Sequence, residues 1–132
     1  MTDYMALILT PDVAGNVTAQ KTLLPEAETS EGLQRLHEIV NGYIEVVRID
    51  KDFALLVNDE GALYHDRVYN PVASMMYGGD IFGVAVCVGI KSDPVEGDLV
   101  TDCPQSIIKR IYSYFAIADY IKKQLQNGGR NL

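Results

Sequence analysis

The hydrophobic pattern changes period several times along this chain, and each change marks an element. Tyr4 to Leu9 is a short apolar run that reads as a strand, broken by Thr10-Pro11-Asp12 and by Gly15-Asn16. From Val17 to Leu24 the chain alternates, with Val17, Ala19, Lys21 and Leu23 set against Thr18, Gln20 and Thr22. That alternation predicts a second strand, ended by Pro25. The period then lengthens. Leu33, Leu36, Ile39 and Val40 recur at helical spacing and predict a helix over 30–40 that buries this stripe. Ser30 suits its N-cap, Glu31 complements the positive end of its dipole, and Asn41-Gly42 suits a left-handed C-cap.

Alternation returns at Tyr43 to Ile49, where Tyr43, Glu45, Val47 and Ile49 lie on one face and Ile44, Val46 and Arg48 on the other. Asp50-Lys51-Asp52 turns the chain, and Phe53 to Val57 returns as a hairpin partner. Asn58-Asp59-Glu60-Gly61 is a further turn, with glycine supplying positive φ. Residues 62–69 fit either an extended loop or a strand. Asn70 then caps a short helix with Pro71 at its first position, Val72, Met75 and Met76 on its apolar side, and Gly78-Gly79 as its stop. Asp80 to Ile90 is a Val-rich strand, apolar enough for the centre of a sheet. Lys91 to Asp102 reads as an acidic loop. Pro104 suits the first position of a final helix running to about Asn127, with Ile107, Ile111, Tyr114 or Phe115, Ala118, Ile121 and Leu125 as a continuous stripe. The pattern predicts one α+β domain over residues 1–132. It would hold a mostly antiparallel sheet of about five strands, a helix after the second strand and a long C-terminal helix packed on the sheet.

Composition narrows the class. With 132 residues, 48% hydrophobic and 22% charged, the chain can bury a sound core without staples. Cys87 and Cys103 are too few and too far apart for a disulfide framework or a zinc site. No basic leader region precedes the first strand and no apolar run approaches a membrane span, so the expected place is the cytoplasm, that of the host cell if the gene is carried by a phage. Charge is unevenly spread. Residues 1–102 carry 17 acids against 6 bases, a balance of −11, while residues 103–132 carry five bases against Asp119 alone, a balance of +4. The basic end points to an anionic contact, either an acidic protein face or a small phosphorylated ligand. Duplex nucleic acid is not an expected partner, because the rest of the surface repels phosphates.

Catalytic chemistry finds little support in the sequence. His37 lies between Leu36 and Glu38 on a helix and reads as a surface residue. His65 precedes Asp66, but neighbours on a strand point to opposite faces, which argues against a dyad. No Gly-x-Ser-x-Gly elbow is present, the metal-ligating residue types are scattered, and the acidic loop lacks the ligand spacing of a calcium loop. Gly78, Gly79 and Gly83 are not followed by Gly-Lys-Ser/Thr and form no phosphate loop. No cofactor is implied, and the reading leans against an enzyme.

Two segments carry groups suited to binding. Tyr64, His65, Arg67, Tyr69 and Asn70 bring rings that stack a base, a guanidinium for phosphate and an amide for base-edge hydrogen bonds. The start of the final helix, Cys103 to Arg110, offers free N–H groups with Lys109 and Arg110 within two turns, although Pro104 removes one donor. These seven residues, Tyr64, His65, Arg67, Tyr69, Asn70, Lys109 and Arg110, are the expected ligand site.

Gly42-Tyr43-Ile44-Glu45-Val46-Val47, the Leu56-Val57-x-Asp59-Glu60-Gly61 turn, and Asn70-x-x-Ala73-Ser74-x-x-Tyr77-Gly78 followed by Gly79-Asp80-Ile81 occur in that order. Over residues 38–90 they resemble a family of small proteins, a domain of unknown function from gut bacteria, their phages and mobile elements. The resemblance transfers no functional residue. It implies a setting in which accessory genes often act on host defence. The expected function is therefore a non-enzymatic binding protein that counteracts host defence by sequestering a nucleotide-type immune signal. A homo-oligomer would help, since a boundary pocket draws basic residues from one chain and aromatic ones from another. The alternatives are an acidic DNA-mimic-like inhibitor that binds a host defence protein, and a small nucleotide-processing enzyme using His65, Asp66 or the acidic loop.

Overall fold

The computed structural model describes residues 3–60 and 68–128. Three hairpins supply the sheet: β1 (Tyr4–Pro11) with β2 (Val17–Leu24), β3 (Ile44–Asp50) with β4 (Phe53–Asn58), and β5 (Ala85–Asp93) with β6 (Gly97–Thr101). Helix α1 (Ser30–Val40) joins the first to the second, α2 (Pro71–Tyr77) precedes the third, and α3 (Gln105–Gly128) follows it. Every pairing of these strands is antiparallel, in the order β2-β1-β5-β4-β3, with β6 joined to β5. The architecture is the α+β one the pattern predicts, with a sixth strand added.

That strand lies where an acidic loop was expected. Gly97 to Thr101 pair with Asp93 to Gly89 around the Pro94 turn. An exposed edge strand needs no apolar face, so Asp98 and Gly97 concealed it. The central strand also begins later than its apolar run. Residues 80–84 are tied to the segment before α2 instead, through Asn70 N–H to Ile81 O (2.9 Å) and the Tyr69–Phe82 bridge.

β5 is central because its residues are buried on both faces, as its unbroken apolar run requires. Cys87 pairs with Leu7 on one side and Leu55 on the other. Leu7, Leu9, Phe53, Leu55 and Cys87 face α2 and α3, while Ala6, Leu56, Val86 and Val88 face Leu36 and Val40 of α1. The molecule thus has three layers, each fully buried Leu, Phe or Val contributing about 1.5–3 kcal/mol.

Local details correct two expectations in α1. Its N-cap is Thr29, whose Oγ1 accepts the Gly32 N–H (3.0 Å) and donates to Glu26 O (2.7 Å). Its buried stripe is Gly32, Leu36 and Val40, with Leu33 half exposed. Gly32 replaces Leu33 because the helix lies against the incoming chain: a Cβ there would sit 1.9 Å from Glu26 O. In α2 the buried residues are Val72, Ala73 and Ser74, and Met75 is exposed.

α3 departs most from expectation. β6 ends beside the start of β1, where the Asp102 carboxylate accepts Met5 N–H (2.7 Å) and Cys103 N–H donates to Met5 O (2.8 Å). That junction lays the first turns of α3 on the sheet. Pro104 is the N-cap, not the first helical residue, since its carbonyl accepts the N–H of Ile108 (3.1 Å). Cys103, Ile107, Ile108 and Ile111 are buried and Phe115 partly so, but every residue of 116–126 is exposed. A helix of 24 residues is about 36 Å long, longer than the sheet it packs on. Its distal half therefore runs on past the sheet, exposed along residues 116–126. Among the described residues no helix is long and apolar enough to cross a membrane.

Candidate functional site

Three elements meet to form a groove at one end of the α2–α3 face, and each is fixed by local chemistry. The β1–β2 turn is held by Asp12, whose carboxylate accepts the N–H groups of Ala14 and Asn16, both at 2.9 Å. The Asn16 N–H contributes most to holding that carboxyl below the usual carboxylate range. Gly15 completes the turn at φ 89°, a conformation that favours glycine.

The second element is α2, anchored by Asn70. Its Oδ1 accepts the Ala73 N–H (3.1 Å) and its Nδ2 donates to Leu9 O (3.2 Å) and Gly83 O (2.9 Å). One amide therefore caps the helix and ties it to β1. At the other end Ser74 Oγ accepts the Ile81 N–H at 2.8 Å. The third element is α3 at the point where it leaves the sheet.

Between them lies a groove of about 350 Å³. Gly15, Asn16 and Val17 form one lip, Pro71, Val72 and Met75 the floor, and Tyr114, Phe115 and Ala118 the far wall. Two charged residues stand at its distal end, Asp119 and Lys122. Asp119 is paired with Lys123 at 3.1 Å, whereas Lys122 has no ion pair among the described residues. The groove is thus an apolar, aromatic-walled channel with one unpaired cation at its mouth. Two shallower hollows adjoin it across Pro71 and share Tyr69; Asp12 lines one and Asp80 the other.

The expected site residues distribute unevenly around this channel. Tyr64, His65 and Arg67 lie outside the described residues. Tyr69 is half exposed at the adjoining rim, its ring edge-on to Phe82 at 5.6 Å. Asn70 does not face a ligand: it is fully buried, and both its donors are occupied by backbone carbonyls. Lys109 and Arg110 are exposed but line none of these hollows, because at about 100° per residue they fall away from the Ile107–Ile111–Phe115 face. The cation that reaches the groove is Lys122. Its signal was present in the sequence: Phe115, Ala118 and Lys122 are spaced three and four residues apart, on one helix face.

The remaining reactive groups are insulated. Burial pushes the Cys87 thiol well above its ordinary value, with the nearby Cys103 adding to the effect, and burial pushes Cys103 up to about 12. Neither forms a thiolate near neutral pH, which removes them as nucleophiles. His37 sits edge-on to Tyr43 at 5.6 Å, on α1, across the sheet from the groove. Among the described residues no group of three His, Cys, Asp or Glu side chains is placed to hold a metal ion.

No curated protein and no solved structure matches this chain. A family model does, over residues 15–116, which extends the likeness seen in residues 38–90 to the groove's turn at Gly15 and its wall at Phe115. On that match the chain belongs to the family described as a domain of unknown function, DUF3846.

Proposed function

We propose that this chain is a non-catalytic binding protein for a small anion of nucleotide type. The groove supports this reading: a planar, partly apolar base fits against Tyr114, Phe115 and Met75, and Lys122 meets a phosphate at the mouth. Stacking on an aromatic wall contributes about 1–3 kcal/mol per base. The observation that carries the reading is Lys122, an unpaired cation beside aromatic walls in a chain of net charge −7. In an accessory gene of a phage or mobile element, such a binder counteracts host defence by sequestering a nucleotide immune signal.

Isothermal titration against cyclic dinucleotides and ADP-ribose-type nucleotides tests this. Heat with at least one member, lost in Lys122→Glu, is the expected result; silence with every member overturns it. Chromatography of the ligand recovered after denaturation separates binder from enzyme, since a sequestering protein returns it intact and an enzyme returns product.

A second reading, binding of a host defence protein by DNA mimicry, draws on the far end of the sheet. The β3–β4 turn carries Asp50 and Asp52 and the β5–β6 hairpin carries Asp93, Glu96 and Asp98, and Arg48 links the two through Asp98 and Lys51 O. That reading requires affinity for a protein partner that falls steeply with salt.

A further inference from the structure

The exposed half of α3 repeats the pattern of its buried half. Ile107, Ile111, Tyr114, Ala118, Ile121 and Leu125 are spaced alternately four and three residues apart, the heptad seam of a helix that pairs with another helix. The first two of these are buried against the sheet. Ala118 stands in the groove wall at the edge of the body, and Ile121 and Leu125 are 51% and 77% exposed. The seam thus outruns the surface that it packs on.

We infer that a second copy of this chain covers it, its α3 antiparallel to the first, and that this pairing completes the groove proposed above for the ligand. Three observations select this occupant and this direction. The first is size matching. An antiparallel pair centred between Ala118 and Ile121 sets the small Ala118 against the partner's Ile121 and Tyr114 against the partner's Leu125, so the layers interdigitate.

The second is charge. The body of each chain, residues 1–102, carries −11, and the segment from 103 onward carries +4. Within one chain Lys122 lines the groove and Lys123 is paired with Asp119 of its own helix. The antiparallel partner brings a second Lys122 and Lys123 to the acidic body, past the hollows lined by Asp12 and Asp80. A parallel pair would instead set the basic ends side by side.

The third is the groove. In the antiparallel register the positions flanking the seam bring the partner's Lys122 beside Phe115, an aromatic wall of the groove. The site then has two lysines, one from each chain, and its open side is closed by a helix. A seam of two heptads is marginal for free helices, but here each helix is already anchored by its proximal turns in its own core.

This inference rests on the ligand reading only for the role of the partner's Lys122; the pairing itself stands apart from it. Sedimentation and light scattering across a dilution series measure the pairing without ligand. Two chains per particle, dissociating on dilution, is the expected result. Leu125→Asp and Ile121→Asp should weaken association about tenfold or more, the scale of losing one interface anchor. Ala116→Glu, an equal charge change on the opposite, exposed face, should leave it unchanged, and the unfolding midpoint of each variant reports that the fold is intact. A single chain at every concentration, or a Leu125→Asp chain that still pairs as the parent does, overturns the inference. Nucleotide titration of Leu125→Asp then separates the two ideas. Weaker binding than in the parent supports a shared site, and equal binding by a single chain overturns it while the ligand reading stands. Pairing without binding by any nucleotide removes the ligand reading and the shared site, and leaves the pairing of chains in place.

Discussion

Asn70 shows how a residue chosen for its chemistry can be wholly engaged in structure. Its role as a helix cap is legible from Asn-Pro followed by an apolar turn, because capping is local. Its unavailability to a ligand is not, since its amide donates to Leu9, 61 residues away in sequence, and to Gly83. Replacing Asn70 by Ala removes the cap and the side-chain donor to the buried Leu9 carbonyl and the partly buried Gly83 carbonyl. The expected loss is about 2–4 kcal/mol of stability by urea unfolding. Tyr4 presents the converse case. Its ring is buried, its hydroxyl has no hydrogen-bond partner among the described residues, and burial, with the charge of Glu28 adding to it, pushes its pKa up to about 12. A folded pKa above the unfolded value of about 10 favours the protonated phenol in the native state. That contribution is complete below pH 10 and is lost as pH rises toward 12. Tyr4→Phe should therefore be as stable as the parent or more so at neutral pH, and should lose less stability over that alkaline window in thermal melts.

At the scale of elements, period was a good guide wherever one face is buried. α1 runs over the stretch predicted for it, Ser30–Val40, because helical spacing records burial, and β2 over Val17–Leu24 although Leu23 of its predicted face is exposed. β6 was hidden because Gly97 and Asp98 open it and its five residues carry no alternation. The depth of a helix is likewise invisible to spacing alone: Leu33 has the right period but the wrong neighbour, and Gly32 takes the contact. Gly32→Ala places a methyl against the Glu26 carbonyl and should cost about 1–3 kcal/mol, despite alanine's better helix propensity. A gain in stability on calorimetry would show that α1 does not lie this close to the preceding chain. The same limit explains α3, whose stripe was legible from Ile107 to Leu125 although the sheet ends beneath its middle.

For the whole molecule, the groove arises from parts distant in sequence. A turn near Gly15, a capped helix at Pro71 and the departure of α3 from the sheet converge on one channel, which no single stretch of the sequence marks as a set. The expected site placed its cations at Lys109 and Arg110; the fold turns these away and brings Lys122 in. Charge follows the same division, with an acidic body and a basic final helix. The central claim is that the groove between α2, α3 and the β1–β2 turn holds the ligand. Amide chemical shifts recorded during titration with the nucleotide that gives heat test it most directly. The account predicts shifts concentrated at Gly15, Asn16, Val72, Phe115, Ala118 and Lys122, abolished in Lys122→Glu; shifts confined to the α1 face or to the Asp93–Asp98 hairpin would contradict it.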